Sequence, residues 1–279
     1  MSRKIKIVTD SASDILSVDG VDFQSAPLKI ITSEREYVDD SQLDVYGMAS
    51  DLQSYKGRSS TSCPNVDDWL TAFGDADDVF CVTITGTLSG SHNTACIARD
   101  TYMEENPGRR VFVLDSLSTG PEMGLVIDKI RELVLEGKDF DEICHTVENY
   151  SKKTGLLFML ESMKNLANNG RVSPVVAKVA GILGIRVVGK ASDRGDLEML
   201  DKCRGEKKAF ESIISHLRAL GLRDGKVKIG HCCNEASGNT LRELIQKEFE
   251  KVKVELYHCR GLCTFYAEMG GLLVGFEKA

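Results

Sequence analysis

The sequence is poor in proline, in aromatic residues and in positive charge. Its 279 residues include five prolines and one tryptophan, and the formal net charge is −7. The scarcity of proline leaves little room for long disordered tracts, and the apolar and charged shares of 42% and 28% are typical of a folded globular protein. Because nucleic-acid-binding proteins usually carry a basic surface, the acidic balance argues against a broad contact with DNA or RNA.

Long apolar runs are also missing. No stretch of about 20 apolar residues, the length of a membrane-spanning helix, occurs anywhere in the sequence. Met1 leads directly into Ser-Arg-Lys and a predicted strand, without an apolar signal region. We therefore expect a cytoplasmic protein with no stable membrane insertion. In that compartment the nine cysteines are expected to be reduced thiols, most of them buried.

One group of histidines and cysteines invites a metal hypothesis: His231, Cys232, Cys233, His258, Cys259 and Cys263. Structural zinc sites usually separate paired cysteines by two to four residues, and these adjacent cysteines lack that spacer. We therefore expect neither a metal nor another cofactor.

Three short apolar runs each end in a turn rich in serine, threonine and glycine. Residues 5–8 lead into 9–14, residues 79–84 into 85–91, and residues 111–114 into 115–120. In an open parallel sheet such turns meet at the carboxyl ends of the strands, where backbone N–H groups and hydroxyls collect around an anion. The repeated pattern therefore predicts an anion site.

Strands and helices alternate in the first half, which predicts a parallel sheet with helical crossovers. The predicted helices are 89–102, with Ser89 as N-cap, a helix from Pro121 that stops at Gly137, and 139–152. Beyond Thr154 the pattern changes to an α+β arrangement. It comprises strands at 155–160, 185–189, 197–200, 227–230, 252–257 and 272–276, helices at 161–169, 206–220 and 239–250, a turn at 193–196, and an apolar segment at 175–183. We predict two domains, residues 1–155 and 156–279.

Several polar residues have both a structural and a functional interpretation. Ser62 or Asn65 could cap a helix around Trp69, and Asp10 or Ser11 could cap another, because single caps are common. Arg171, directly after a glycine that ends a helix, is either a solvated side chain or a fixed fork for a carboxylate or phosphate.

Taken together, these motifs resemble the DegV family of bacterial fatty-acid-binding proteins. They occur in order along nearly the whole chain: Thr9-Asp10-Ser11, Pro27-Leu28, Tyr37-Val38-Asp39, Thr61-Ser62-Cys63-Pro64, Leu88-Ser89-Gly90-Ser91, Asp115-Ser116, Gly170-Arg171-Val172-Ser173, and Lys202-Cys203-Arg204 with Lys207-Lys208.

The resemblance implies an α/β/α domain with a parallel sheet, a second α/β domain with a mixed sheet, and a long-chain fatty acid between them. It assigns the acyl carboxylate to Thr61 and Ser89, and it places Arg171 near the mouth of the site. Ser11, Ser62 and Gly90 belong to the same motifs and complete the candidate ligand-binding set with Glu268. The resemblance further implies a carrier rather than an enzyme, which presents the carboxylate to a separate fatty-acid kinase, with Arg204 as a partner contact.

One position departs from the family pattern. Family members usually carry a histidine near the carboxylate in a His-x-Gly-Pro-Gly stretch, whereas the best match here is Glu268-Met269-Gly270-Gly271. A glutamate donates a hydrogen bond only when protonated, and beside a carboxylate its own charge would be repelled.

Two other functions remain open at this stage. A serine-dependent hydrolase would use Ser11, Ser89 or Ser116 as nucleophile and needs a positioned base, for which His92 is the nearest in sequence to Ser89. A small-anion or phosphate-binding sensor would use the same turns without an acyl tunnel.

Overall fold

The computed structural model describes residues 3–173 and 184–279 in two large sheets, one small sheet and the helices around them. The strands are β1 (Ile5–Asp10), β2 (Asp22–Ala26), β3 (Lys29–Ile31), β4 (Glu36–Val38), β5 (Ser60–Ser62), β6 (Asp78–Thr83), β7 (Arg110–Asp115), β8 (Thr154–Leu160), β9 (Ile185–Ala191), β10 (Leu197–Arg204), β11 (Gly225–His231), β12 (Val252–His258) and β13 (Leu272–Glu277). The helices are α1 (Val45–Ser54), α2 (Val66–Phe73), α3 (Ser91–Glu105), α4 (Gly120–Leu135), α5 (Phe140–Ser151), α6 (Lys164–Asn168), α7 (Glu206–Ala219), α8 (Glu235–Glu248) and α9 (Gly261–Ala267).

The predicted fold class is confirmed. The first sheet is parallel throughout, in the order β2-β1-β6-β7, and the second is mixed, in the order β10-β9-β8-β13-β11-β12. The hairpin predicted around residues 193–196 joins β9 and β10 as antiparallel neighbours. A small antiparallel sheet, β4-β3-β5, was not predicted, because its three-residue strands are too short for a periodic signal.

Some predicted helix ends are wrong by a few residues. Helix α3 begins at Ser91 rather than Ser89, and its N-cap is Gly90; the Ser89 hydroxyl accepts the backbone N–H of Ser91 instead. Helix α8 begins at Glu235, four residues before the predicted start. Helix α6 covers only residues 164–168 of the predicted 161–169. The predicted apolar segment 175–183 lies outside the described residues.

Other local signals are confirmed. Asn65 is the N-cap of α2 in a capping box with Asp68, so the alternative cap, Ser62, is not used. The Asp10 carboxylate caps a short 3₁₀ turn at residues 11–13. Pro121 lies in the first turn of α4, and Gly137 has a φ of +73°, a left-handed conformation that ends the helical run.

Helix α4 packs between the two large sheets, and its first half, residues 120–127, is buried. It contacts β1 and β6 on one side and β8, β11 and β13 on the other. Its first turn approaches the second sheet so closely that a Cβ on Gly275 would come within 2.6 Å of the backbone nitrogen of Glu122. Only glycine fits at that point, so α4 packs directly against the second sheet and connects it to the first.

Candidate functional site

The three serine- and threonine-rich turns meet at the carboxyl edge of the parallel sheet, as the sequence predicted. The Asp10 carboxylate accepts the N–H of Ile84 and the hydroxyl of Ser91, which joins the first turn to the second. The N–H of Thr85 donates to the carbonyl of Ser118, which joins the second turn to the third. The three turns therefore form one bonded unit, not separate helix caps.

A largely apolar cavity lies between this edge and the second sheet. The space between its walls, counted with the open part at its mouth, is about 790 Å³. The first half of the chain contributes Leu28, Thr61, Ile84, Thr85, Leu88, Ser89, Ser118 and Thr119. The second half contributes Leu156, Phe158, Leu160, Leu166, Arg171, Ala191, Gly195, Leu197, Leu262, Cys263, Tyr266, Ala267 and Leu273.

We define the polar end of the cavity as Thr61, Ser89, Arg171 and Tyr266, of which Thr61, Arg171 and Tyr266 are joined by direct contacts. The hydroxyls of Thr61 and Tyr266 are 2.7 Å apart, and the Arg171 guanidinium lies over the Tyr266 ring at 5.6 Å. Arg171 also donates to the carbonyls of Leu88, at 3.1 Å, and Asn169. Residues far apart in sequence are thus held at one end of an apolar space.

Electrostatically, this polar end favours an anion. Among the described residues that line the cavity, Arg171 carries the only formal charge. Burial raises the pKa of the Tyr266 hydroxyl, against the smaller opposing effects of Thr61 and Arg171. Tyr266 therefore keeps its proton at neutral pH. The end presents one guanidinium and up to two free hydroxyl donors, because the bond between Thr61 and Tyr266 uses one hydroxyl hydrogen; this set suits a carboxylate or a phosphate oxygen.

Four of the seven predicted ligand-binding residues do not line this cavity. The Ser11 hydroxyl accepts the N–H of Leu28, and Ser62 pairs with Lys29 in the small sheet. Gly90 caps α3 and packs against Cys63, where a Cβ would come within 3.2 Å of the thiol sulfur. Ser11, Ser62 and Gly90 thus support the backbone of the turns from outside the cavity. The predicted partner contact, Arg204, is exposed at the end of β10.

Glu268, the fourth, lies in a different pocket. Its carboxylate accepts the hydroxyl of Ser162 and the backbone N–H of Asn165, away from Thr61 and Ser89. Tyr266, two residues earlier, contacts Thr61 instead. Sequence reasoning missed Tyr266 because it has no motif of its own, and the adjacent glycine pair drew attention to Glu268.

Helix α9, which carries Tyr266, is anchored at its N-terminus by two buried carboxylates from the first half. Asp39 accepts the N–H groups of Gly261 and Leu262, each at 2.8 Å, and Asp14 accepts the N–H of Arg260 at 2.7 Å. Burial raises the pKa of both carboxyls, that of Asp14 to about 7, and the backbone bonds only partly offset this. The orientation of Tyr266 therefore depends on acids that never touch the cavity.

The serines considered as nucleophiles have other partners. The His92 ring nitrogens lie near the Thr83 hydroxyl, at 3.2 Å, and the Cys96 sulfur, at 3.5 Å. The Ser116 hydroxyl donates to the carbonyl of Ser118. In residues 3–173 and 184–279, no hydrogen bond joins His92 to Ser89, Ser11 or Ser116.

The histidine and cysteine group surrounds the ends of β11 and β12. Cys232, Cys259 and Cys263 are buried, and His231 packs edge-on against His258. Within the described part of the chain, no three histidine, cysteine, aspartate or glutamate side chains are arranged to hold a metal ion. Nor does any helix there have the length and apolar content needed to cross a membrane.

Comparison with known proteins places this cavity in context. The family model of DegV, described as a family of uncharacterised proteins, matches residues 4–278. The chain belongs to the DegV family. A DegV domain-containing protein of Streptococcus pneumoniae is 40% identical over 276 residues, 98% of each chain.

Two solved DegV structures are especially similar. A DegV family protein from Eubacterium eligens, loaded with heptadecanoic acid, has a TM-score of 0.97 and 44% identity, covering 99% of this chain and 100% of its own. The Fatty Acid Kinase (Fak) B3 protein of Streptococcus pneumoniae, loaded with linoleic acid, has a TM-score of 0.97, 39% identity and the same coverage. Both relatives were thus solved with a long-chain fatty acid.

Proposed function

We propose that this DegV protein binds one long-chain fatty acid in the cavity between its sheets, with the carboxylate at the polar end. The protein then presents that carboxylate to a separate fatty-acid kinase, and acts as a carrier rather than as the catalyst. The observation that carries the proposal is the lining: an apolar wall on which Arg171 is the only formal charge among the described residues, beside the hydroxyls of Thr61 and Tyr266. The relatives loaded with heptadecanoic and linoleic acid support the same ligand class.

The energetics separate the roles of wall and polar end. Burying about 14 methylenes at roughly 0.8 kcal/mol each supplies on the order of 11 kcal/mol before the ordering costs of binding. A hydrogen bond to a charged group contributes only about 1.5–3 kcal/mol net, because it replaces good bonds to water. The wall therefore supplies most of the affinity, and the polar end sets the orientation that a kinase needs.

Cavity chemistry favours a fatty acid over the two alternatives. A phosphate sensor requires the polar end but not an apolar wall of leucine and phenylalanine. A serine hydrolase requires an imidazole in contact with its nucleophile, whereas the contacts of His92 are with Thr83 and Cys96.

Mass spectrometry of organic extracts from natively purified protein tests the proposal, with ligand quantified against protein. We expect close to one free fatty acid per chain. The bound acid should then become acyl phosphate when a DegV-dependent fatty-acid kinase and ATP are added. Absence of lipid, together with failure of added palmitate and oleate to bind, would refute the proposal; a co-purifying phosphorylated small molecule would favour the sensor.

A further inference from the structure

The turn between β9 and β10 extends beyond the rest of its sheet. The β8–β9 ladder ends at the pair Leu157 and Lys190, whereas β10 stays paired with β9 up to Leu197 and Ala191. We call residues 191–197 the hairpin tip. The tip continues past the last β8 pair without backbone pairing to β8, although Ala191 and Leu197 at its ends pack against the apolar cluster that contains Phe158.

This hairpin tip separates two spaces. On one side, Ala191, Gly195 and Leu197 line the ligand cavity. On the other, Ala191 faces an open groove of about 1,200 Å³, counted with its exposed part, that is lined by Thr154 and Gly155 of β8 and also by charged side chains, among them Asp115, Glu148 and Lys152. Leu156, the next residue of β8, lines the cavity. The gap where β9 leaves β8 is therefore the place where cavity and groove come closest.

Few contacts hold the hairpin tip against the first half of the chain. The Thr87 hydroxyl donates to the carbonyl of Arg194 at 2.6 Å. Gly195 is buried between two exposed neighbours, and a Cβ there would lie 2.1 Å from the Thr85 hydroxyl oxygen and 3.0 Å from the Leu117 Cα. Within residues 3–173 and 184–279, one side-chain hydrogen bond and one close-fitting glycine therefore hold the tip against the first half.

Internally, the tip is well bonded. The N–H of Ser192 donates to the carbonyl of Asp196, and the N–H of Gly195 donates to the carbonyl of Ser192, each at 2.9 Å. These bonds do not involve the first half, so they persist when the tip moves. The conformation of the tip therefore does not depend on its contacts with the first half.

We propose that the hairpin tip is a gate through which the acyl chain enters and leaves the cavity sideways. The inference rests on the proposed fatty-acid function. When the tip is displaced, cavity and groove merge, and the acyl chain gains an opening separate from the polar end. The hydrogen bond of the Thr87 hydroxyl holds the tip closed, and we call it the latch. Gly195 is small enough for the closed tip to pack against Thr85.

Stopped-flow binding of cis-parinaric acid, a fluorescent 18-carbon fatty acid, tests the gate in wild type and Thr87→Val. Removing the latch raises the open fraction, and both entry and exit require opening. We expect the association and dissociation rate constants to rise together by about 3- to 10-fold, with a much smaller change in Kd. Thr240→Val is the matched control, since the Thr240 hydroxyl bonds only within exposed α8, to Ala236, and its rates should equal those of wild type.

Gly195→Ala provides a second, independent variant, because its Cβ would prop the tip away from Thr85. Its control is Gly137→Ala, which has a similar left-handed φ of +73° but no atom within 4 Å of the added Cβ. Both rate constants should rise in Gly195→Ala and remain unchanged in Gly137→Ala.

Three results would overturn the gate, and they are distinguishable. Saturable binding with wild-type rates in both test variants overturns the gate but leaves the fatty-acid function intact. If only the dissociation rate constant rises, and Kd rises by the same factor, the tip is part of the cavity wall and not a gate. Failure of wild type to bind the probe saturably removes the proposed function and the gate together.

Discussion

The polar end and the hairpin tip lie on the same cavity but are held in very different ways. Thr61, Tyr266 and Arg171 are linked to one another, and Arg171 bonds two backbone carbonyls. The hairpin tip reaches the first half through the Thr87 hydroxyl and the packing of Gly195. Under the proposed function, a bonded cluster holds the carboxylate of the ligand, whereas few contacts hold the proposed gate.

Shortening the ligand should produce the largest effect, because it removes contact with the wall and leaves the polar end intact. Replacing hexadecanoate by decanoate deletes six methylenes, and we expect the affinity to fall on the order of a thousandfold. Isothermal titration with lipid-free protein measures this. Equal affinity for the two acids would show that the apolar wall does not bind the chain.

Arg171→Met should have an intermediate effect, confined to the polar end. Loss of the guanidinium should weaken hexadecanoate binding by about 10- to 100-fold, whereas hexadecanol, which has no carboxylate, should bind the variant almost as well as wild type. Arg58→Met is the control, since Arg58 is exposed and contacts only the carbonyl of Asn168. An equal loss for acid and alcohol would contradict a carboxylate role for Arg171 and indicate a role in positioning Leu88.

Asp14→Asn tests the support behind the polar end and should have the smallest effect on binding. Burial raises the pKa of Asp14 from 3.8 to about 7, so between these values the native state binds more protons than the unfolded state. Its contribution to stability is therefore present at low pH and is lost as the pH rises through about 7.

Urea unfolding of wild type and Asp14→Asn between pH 4.5 and 8 measures this dependence. The variant should gain stability relative to wild type as the pH rises, because asparagine cannot ionise and still accepts the Arg260 N–H; it also tolerates the φ of +62°. Asp139→Asn, at an exposed N-cap, serves as control. Parallel stability curves for wild type and Asp14→Asn would contradict the assignment.

Much of the fold could be predicted because its signals are local. Alternating strands and helices indicated the parallel sheet, and the turn at 193–196 indicated the hairpin of β9 and β10. Short elements gave no such signal: β3, β4 and β5 have three residues each, and α9 has seven. The start of α3 was placed two residues early because Ser89 fits an N-cap, but its hydroxyl bonds Ser91 from outside the helix.

The candidate site was only partly predictable, for a related reason. Thr61, Ser89 and Arg171 belong to recognisable motifs, and the cavity brings them together. Tyr266 reaches Thr61 across 205 residues of sequence, and no local pattern encodes that contact. Glu268, in contrast, belongs to a glycine-rich motif, but its carboxylate bonds Ser162 and Asn165 outside the cavity. The carboxylate roles of Thr61, Ser89 and Arg171 remain predictions.

Helix α9 has a consequence for the order in which the protein is made. Asp39 leaves the ribosome 222 residues before Gly261, the helix start that it anchors, and Phe265 of that helix completes the core around Ile30 and Met48. Until segment 261–267 has been synthesised, that apolar surface stays uncovered and Tyr266 is absent from the cavity. Such distant contacts close late and slowly. A nascent chain therefore lacks the assembled polar end, and the proposed fatty-acid loading requires synthesis through residue 267.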